Sequence, residues 1–140
     1  MSKKRIIGIL NEDRESELGA ISQYMLHHYQ GEGLGSPSVV KAFKKISIDE
    51  MKHAEALAER VIDLNGIPSN KRASIKTGGD LKTMVRDDLM GEIGAVNRYK
   101  KHIAICKKEK DTTTRQLLEK ILSQEEDHAD TWAAVLNYKI

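Results

Sequence analysis

A chain of 140 residues with one tryptophan, two prolines and a strong supply of Leu, Ile, Ala, Glu and Lys is the size of one domain with one core, covering residues 1–140. Its formal net charge of +2 is spread along the chain rather than gathered in a block, so charge indicates neither a nucleic-acid nor a membrane partner. The single cysteine, Cys106, cannot form an internal disulfide or a CxxC redox or zinc site, which fits a reducing cytoplasm.

The opening MSKKRIIGIL pairs a basic stretch with an apolar one, but NEDRE interrupts it too early for a secretion signal or a spanning helix, and a soluble protein is expected. From Ile6 through Leu10, Ala20 and Tyr24 apolar residues return at helical spacing, up to the glycines at 31, 33 and 35, which predicts a first helix. Ser36 and Pro37 form a cap and first-turn proline, after which Phe43, Ile46, Leu57, Val61 and Leu64 mark a second helix that stops at Asn65 and Gly66. Residues 67–79 lack periodicity and hold Pro68, Ser69, Asn70 and the Thr77, Gly78, Gly79 turn signal, as a connector would. Asp80 caps a third helix carried by Leu81, Met84, Val85, Ala95, Tyr99 and Ile103 to about Lys110. Asp111 and three threonines open a fourth, predicted to run to the end of the chain. At roughly 28 residues each, the helices span about 40 Å. Short links after the first and third helices force antiparallel neighbours, and the long middle link can travel the length of a bundle. The expected fold is all-α, a four-helix bundle with one long crossover.

Sliding the chain against itself reveals a duplication at an offset of 75 residues. ELGAISQY (17–24) falls on EIGAVNRY (92–99), and EMKHAE (50–55) falls on EEDHAD (125–130). The apolar stripe follows, with Ile6 on Leu81, Ile9 on Met84, Leu10 on Val85, Phe43 on Leu118, Ile46 on Ile121 and Leu57 on Trp132. The bundle is therefore built from two copies of one helical hairpin.

Polar residues interrupt these stripes at matching places. Glu17 follows Leu10 by seven and precedes Ala20 by three, which puts it on the buried face, and Glu92 repeats it. Glu50 and His53 sit between Ile46 and Leu57, as Glu125 and His128 sit between Ile121 and Trp132. Four carboxylates and two imidazoles in one interior would cost many kcal/mol unless neutralised. The stripes offer almost no lysine or arginine for this, Arg60 being the nearest, so a pair of divalent metal ions is the expected counter-charge. Glu and His three apart on two helices, with single glutamates on the other two, is the known arrangement of carboxylate-bridged two-metal bundles. Oxygen and imidazole ligation suits iron, manganese or zinc. Bridging falls most naturally to Glu50 and Glu125, with Glu17 and Glu92 as terminal ligands.

Together the segments ELGAISQYMLHH, IDEMKHAE, ERVIDLNGIP, DDLMGEIGA and SQEEDH resemble the bacterioferritin branch of the ferritin-like superfamily over all four helices. The resemblance implies a ferroxidase centre of two irons per subunit, held by Glu17, Glu50, His53, Glu92, Glu125 and His128, that oxidises Fe(II) with oxygen or hydrogen peroxide and delivers Fe(III) to a mineral inside a hollow homo-oligomeric shell. It also implies haem at a twofold subunit interface. Met51, in DEMKHA, occupies the matching place and is turned about 100° from Glu50 toward a flank of the bundle; interface packing by a flexible side chain is the plain alternative. An electron-donor protein is a candidate partner. Full-length relatives carry a fifth helix that is not found after Ile140, so a short form is expected, with a shell of twelve subunits favoured over twenty-four.

Several other residues admit two readings. Asp13 and Asp88, repeat partners one turn before Glu17 and Glu92, either accept hydrogen bonds from the ligand histidines or lie at a solvated end of the bundle. Tyr24 and Tyr99 either bond a ligand carboxylate or pass an electron, or else pack in the core with a satisfied hydroxyl. His27 and His28 are adjacent, so at most one can face inward; they are expected at the surface or an interface, an entry site for iron being the alternative, and the Lys100, Lys101 and Lys107 to Lys110 charges are expected on solvated helix faces. A rubrerythrin-like di-iron peroxidase and a non-catalytic metal-binding bundle are the competing functions.

Overall fold

The computed structural model describes residues 2–140. Four helices, α1 (Lys3–Gly31), α2 (Pro37–Asp63), α3 (Leu81–Lys108) and α4 (Thr112–Leu136), carry the fold, with no strand among the described residues. Each starts at a side-chain cap that accepts an otherwise orphaned backbone N–H: Ser2 from Arg5, Ser36 from Val39, Asp80 from Thr83 and Asp111 from Thr114. The fourth helix stops short of the expected end, because Asn137 takes a left-handed conformation with φ 53° and residues 137–140 leave the helix.

α1 and α2 run antiparallel, tied by Arg14 Nη1 donating to the Ala54 carbonyl and Ser47 Oγ donating to the Ile21 carbonyl. Residues 64–80 form the long crossover. It climbs α1 from one end to the other, since Ser69 N donates to Asn11, Ala73 N to the Glu15 carbonyl, Lys76 N to Gln23 and Gly78 N to Gln30. Side chains of α1 and the Glu15 carbonyl thus satisfy the backbone of a segment that has no regular structure of its own. The strap leaves α2 at Gly66, where a Cβ would come within 2.9 Å of Ile7 Cγ2 and Val61 Cγ1, so only glycine fits the approach to α1. The crossover delivers α3 antiparallel to α1, and α4 closes the bundle beside α3.

Two apolar clusters fill the bundle. One gathers Ile6, Leu10, Leu57, Val61, Ile103 and Leu118, the other Phe43, Met84, Val85, Leu89, Ala129 and Trp132. Repeat partners take equivalent places in opposite clusters: Leu10 and Val85, Phe43 and Leu118, and Leu57 and Trp132 are all buried. Each fully buried large apolar side chain contributes about 1.5–3 kcal/mol. Between the clusters lies a layer of buried ionisable groups.

Candidate metal centre

All six sequence-selected residues, Glu17, Glu50, His53, Glu92, Glu125 and His128, are buried and meet in that layer. Their ligand atoms form two groups, each within 4.8 Å internally: Glu17, Glu50, His53 and Glu125, and Glu50, Glu92, Glu125 and His128. Glu50 and Glu125 belong to both. His53 Nδ1 lies 3.0 Å from Glu50 Oε1, 3.4 Å from Glu17 Oε2 and 3.5 Å from Glu125 Oε1. His128 Nδ1 lies 3.0 Å from Glu92 Oε2, 3.2 Å from Glu125 Oε1 and 3.6 Å from Glu50 Oε1. Such separations suit donors that share a cation at about 2.1 Å each.

Without a cation, the layer must hold protons. Burial first, then the neighbouring carboxylates, pushes Glu50 well above the usual carboxylate range. Burial and the Glu125 charge raise Glu17 to about 7, and the same two causes raise Glu92 to about 8. Burial also acts on Glu125, but hydrogen bonds with His128 and Glu50 and the nearby imidazoles outweigh it and pull this group down. Desolvation opposes the charge on His128, but its hydrogen bond to Glu125 and the Glu92 carboxylate beside it outweigh this and move it up to about 10; the carboxylates around His53 raise that group against its own desolvation. The structure itself tests the fit of a metal pair: Glu17 Oε2, Glu50 Oε1, His53 Nδ1 and Glu92 Oε2 are buried with no hydrogen-bond partner. Unsatisfied lone pairs of this kind are costly, and a cation between them removes the cost.

The histidines are oriented from behind. His128 Nε2 lies 3.0 Å from Asp49 Oδ2, and His53 Nε2 bonds Gln124 Oε1. An acceptor there holds the Nε2 proton, so that Nδ1 faces the carboxylates and offers its lone pair to a cation once its own proton has left. Sequence reasoning missed both partners. They are themselves a repeat pair at the 75-residue offset, and each reaches across to the opposite hairpin.

Asp13 and Asp88 depart from both expectations. They are buried, and they pair with histidines that lie outside the cluster: Asp88 Oδ2 is 2.7 Å from His27 Nδ1, and Asp13 Oδ1 is 2.8 Å from His102 Nδ1. His27, expected at the surface or an interface, is instead fully buried, because α3 brings Asp88 against it; His28 is half-buried, with Nδ1 3.0 Å from the Val40 carbonyl oxygen. Arg60 is no counter-charge for the centre, since it binds Asp111 and Thr114 at the far end of the bundle. Arg98, not singled out, is the nearer cation. It donates to Asp13 at 2.8 Å and lies over the Tyr99 ring. The tyrosines divide: Tyr99 donates to Glu17 Oε1 at 2.7 Å, while Tyr24 packs in the core and accepts from Trp132 Nε1 at 2.8 Å.

A cavity of about 190 Å³ between α1 and α3 reaches Glu17, Glu50, Glu92 and Glu125, with Ala73 of the crossover at its rim. Small residues keep the strap close, for a Cβ on Gly19 would stand 3.0 Å from the Ala73 carbonyl oxygen. Met51 points away from the layer and is 42% exposed on the outer flank of α2. The lysines at 100, 101, 107, 108 and 110 are exposed, as expected. No helix among the described residues is long and apolar enough to cross a membrane.

This arrangement has relatives. The chain matches the ferritin family, described as a ferritin-like domain, over residues 7–139. It is 38% identical over 126 residues to the bacterioferritin of Mycobacterium leprae, a match covering 89% of this chain and 79% of that protein. Among solved structures, Mycobacterium tuberculosis bacterioferritin, BfrA, superposes with a TM-score of 0.90 at 36% identity, covering 95% of this chain and 84% of that one. A Desulfovibrio desulfuricans bacterioferritin, solved with its diiron site in different catalytic states, gives a TM-score of 0.91 at 32% identity, covering 95% of this chain and 78% of its own. A shared fold, a family match over nearly the whole chain and identity at this level make the protein a member of the bacterioferritin family of ferritin-like proteins.

Proposed function

We propose that the protein is a ferroxidase that takes up Fe(II) at the central layer and stores it as Fe(III) in a hollow shell of its own copies. The observation that carries this reading is the pair of four-residue groups that share Glu50 and Glu125. Two ferrous ions are the substrate, and they supply the electrons that oxygen or hydrogen peroxide takes up. Glu17 and His53 hold one ion and Glu92 and His128 the other, with Glu50 and Glu125 between them. The residues prepare for this in the metal-free state: the raised carboxyls and imidazoles release protons as the cations arrive, and Asp49 and Gln124 keep the two Nδ1 atoms aimed inward. Tyr99 fixes the rotamer of Glu17. The flanking apolar clusters keep bulk water from the layer.

The family supports further parts of the reading. The shell is a closed homo-oligomer, haem sits between the Met51 side chains of two subunits, an electron-donor protein supplies reductant, and the cytoplasm is the working compartment. Aerobic Fe(II) loading followed by light scattering tests storage: a hollow oligomer holding many irons per chain is expected. A monomer or dimer that stops at two irons per chain would refute storage. Absence of oxygen consumption on Fe(II) addition would point instead to a passive metal-binding bundle, and fast peroxide turnover without mineral to a peroxidase.

A further inference from the structure

The two halves of the centre carry the same ligands in different surroundings. Because the halves are repeats, each difference has an internal control. At positions 49 and 124 the chain has a carboxylate and an amide: Asp49 Oδ2 stands 3.0 Å behind His128, whereas the neutral Gln124 oxygen stands behind His53. A charged acceptor draws the Nε2 proton more strongly and makes Nδ1 the better donor to a cation. At positions 24 and 99, the Tyr99 hydroxyl donates to Glu17 at 2.7 Å and occupies part of its donor capacity, while Tyr24 is engaged with Trp132. At positions 23 and 98, Arg98 places a permanent positive charge on Asp13, one turn from Glu17; the Gln23 amide donates to Asp88 at 2.8 Å and brings no charge to the turn before Glu92. All three differences make the Glu92 and His128 half the richer in negative charge and free lone pairs. Lys45 opposes the trend at 3.7 Å from Asp49, but its side chain is 78% exposed and solvent screens it.

We infer that the two cation positions are unequal: the one between Glu92 and His128 fills first and retains its ion, and the one between Glu17 and His53 fills second and exchanges. This rests on the metal-centre reading above and adds an order to it. Asp49 and Gln124 act as positioning residues, through the histidines they back. A backing residue of this kind changes metal affinity by about 10–100-fold, so the two steps should differ by about tenfold or more.

The test is anaerobic Co(II) at one equivalent per chain, read by anomalous diffraction at the two positions and by calorimetry over the full titration. The expected result is cobalt concentrated beside His128 and two resolved binding steps. Equal occupancy, or cobalt concentrated beside His53, overturns the inference. The exchanged variant, Asp49→Gln with Gln124→Asp, alters two side chains that reach solvent and should leave the fold intact. It should raise the cobalt share on the His53 side at the expense of the His128 side, a shift that loss of packing could not produce, and an unchanged occupancy ratio overturns the positioning role of Asp49 and Gln124. Cobalt at neither position would overturn the metal reading itself, and the order with it.

Discussion

Around Leu10, Leu57, Val85 and Trp132 the four helices meet through apolar side chains, whereas between those clusters the same helices meet through four carboxylates and two imidazoles. The first kind of contact stabilises the fold by removing apolar surface from water, and the second costs free energy until a cation or protons neutralise it. The bundle's stability thus lives in its apolar ends, and its ionisable groups in its middle. Removing a group from one region should therefore leave the property of the other largely intact.

The largest effect is expected in the middle. Glu50→Ala or Glu125→Ala should bring iron oxidation down to the rate of protein-free solution while the metal-free urea midpoint stays at or above that of the parent; stopped-flow oxidation and chemical denaturation measure the two. At the ends the pattern should invert. Trp132→Ala removes a fully buried side chain and should cost about 3–5 kcal/mol of stability, with two cations still bound per folded chain.

A pH series sharpens the comparison. Glu17, Glu50 and Glu92 have folded values raised above the ordinary 4.5, to about 7 for Glu17 and about 8 for Glu92, so the folded state binds more protons than the unfolded one. Their contribution is present at acid pH and lost as pH rises through those values. His128, raised from 6.5 to about 10, acts in the same direction higher up. Glu125, lowered, acts oppositely, its contribution being lost as pH falls below its ordinary 4.5. The melting temperature of the metal-free protein should thus fall between about pH 5 and about pH 9, and Zn(II) loading should flatten the profile. The smallest effect on stability belongs to Met51→Leu, within about 0.5 kcal/mol at a side chain 42% exposed, yet it should remove a Soret band from protein purified with haem.

Much of this was legible in the sequence, because a duplication displays the same environment twice. The caps at Ser36, Asp80 and Asp111, the long crossover and the burial of four carboxylates and two imidazoles in one layer all followed from the pattern along the chain. What escaped depends on how helices are placed side by side. Asp13 and Asp88 find their histidines on the neighbouring helix, a register that only the packing of α1 on α3 determines. His27 did carry a signal, since it follows Tyr24 by three just as His102 follows Tyr99, but adjacency to His28 drew it toward the surface reading. Asp49 and Gln124 gave less, because each precedes a buried glutamate on a polar face and acts only across the bundle.

The direct test of the central layer is the stoichiometry of anaerobic Fe(II) binding to the metal-free protein and to Glu50→Ala and Glu125→Ala. Two ions per chain for the parent, with the pair lost in both variants, is the expected result. A parent that binds no iron, or variants that still bind two, would mean that these carboxylates do not share a metal pair.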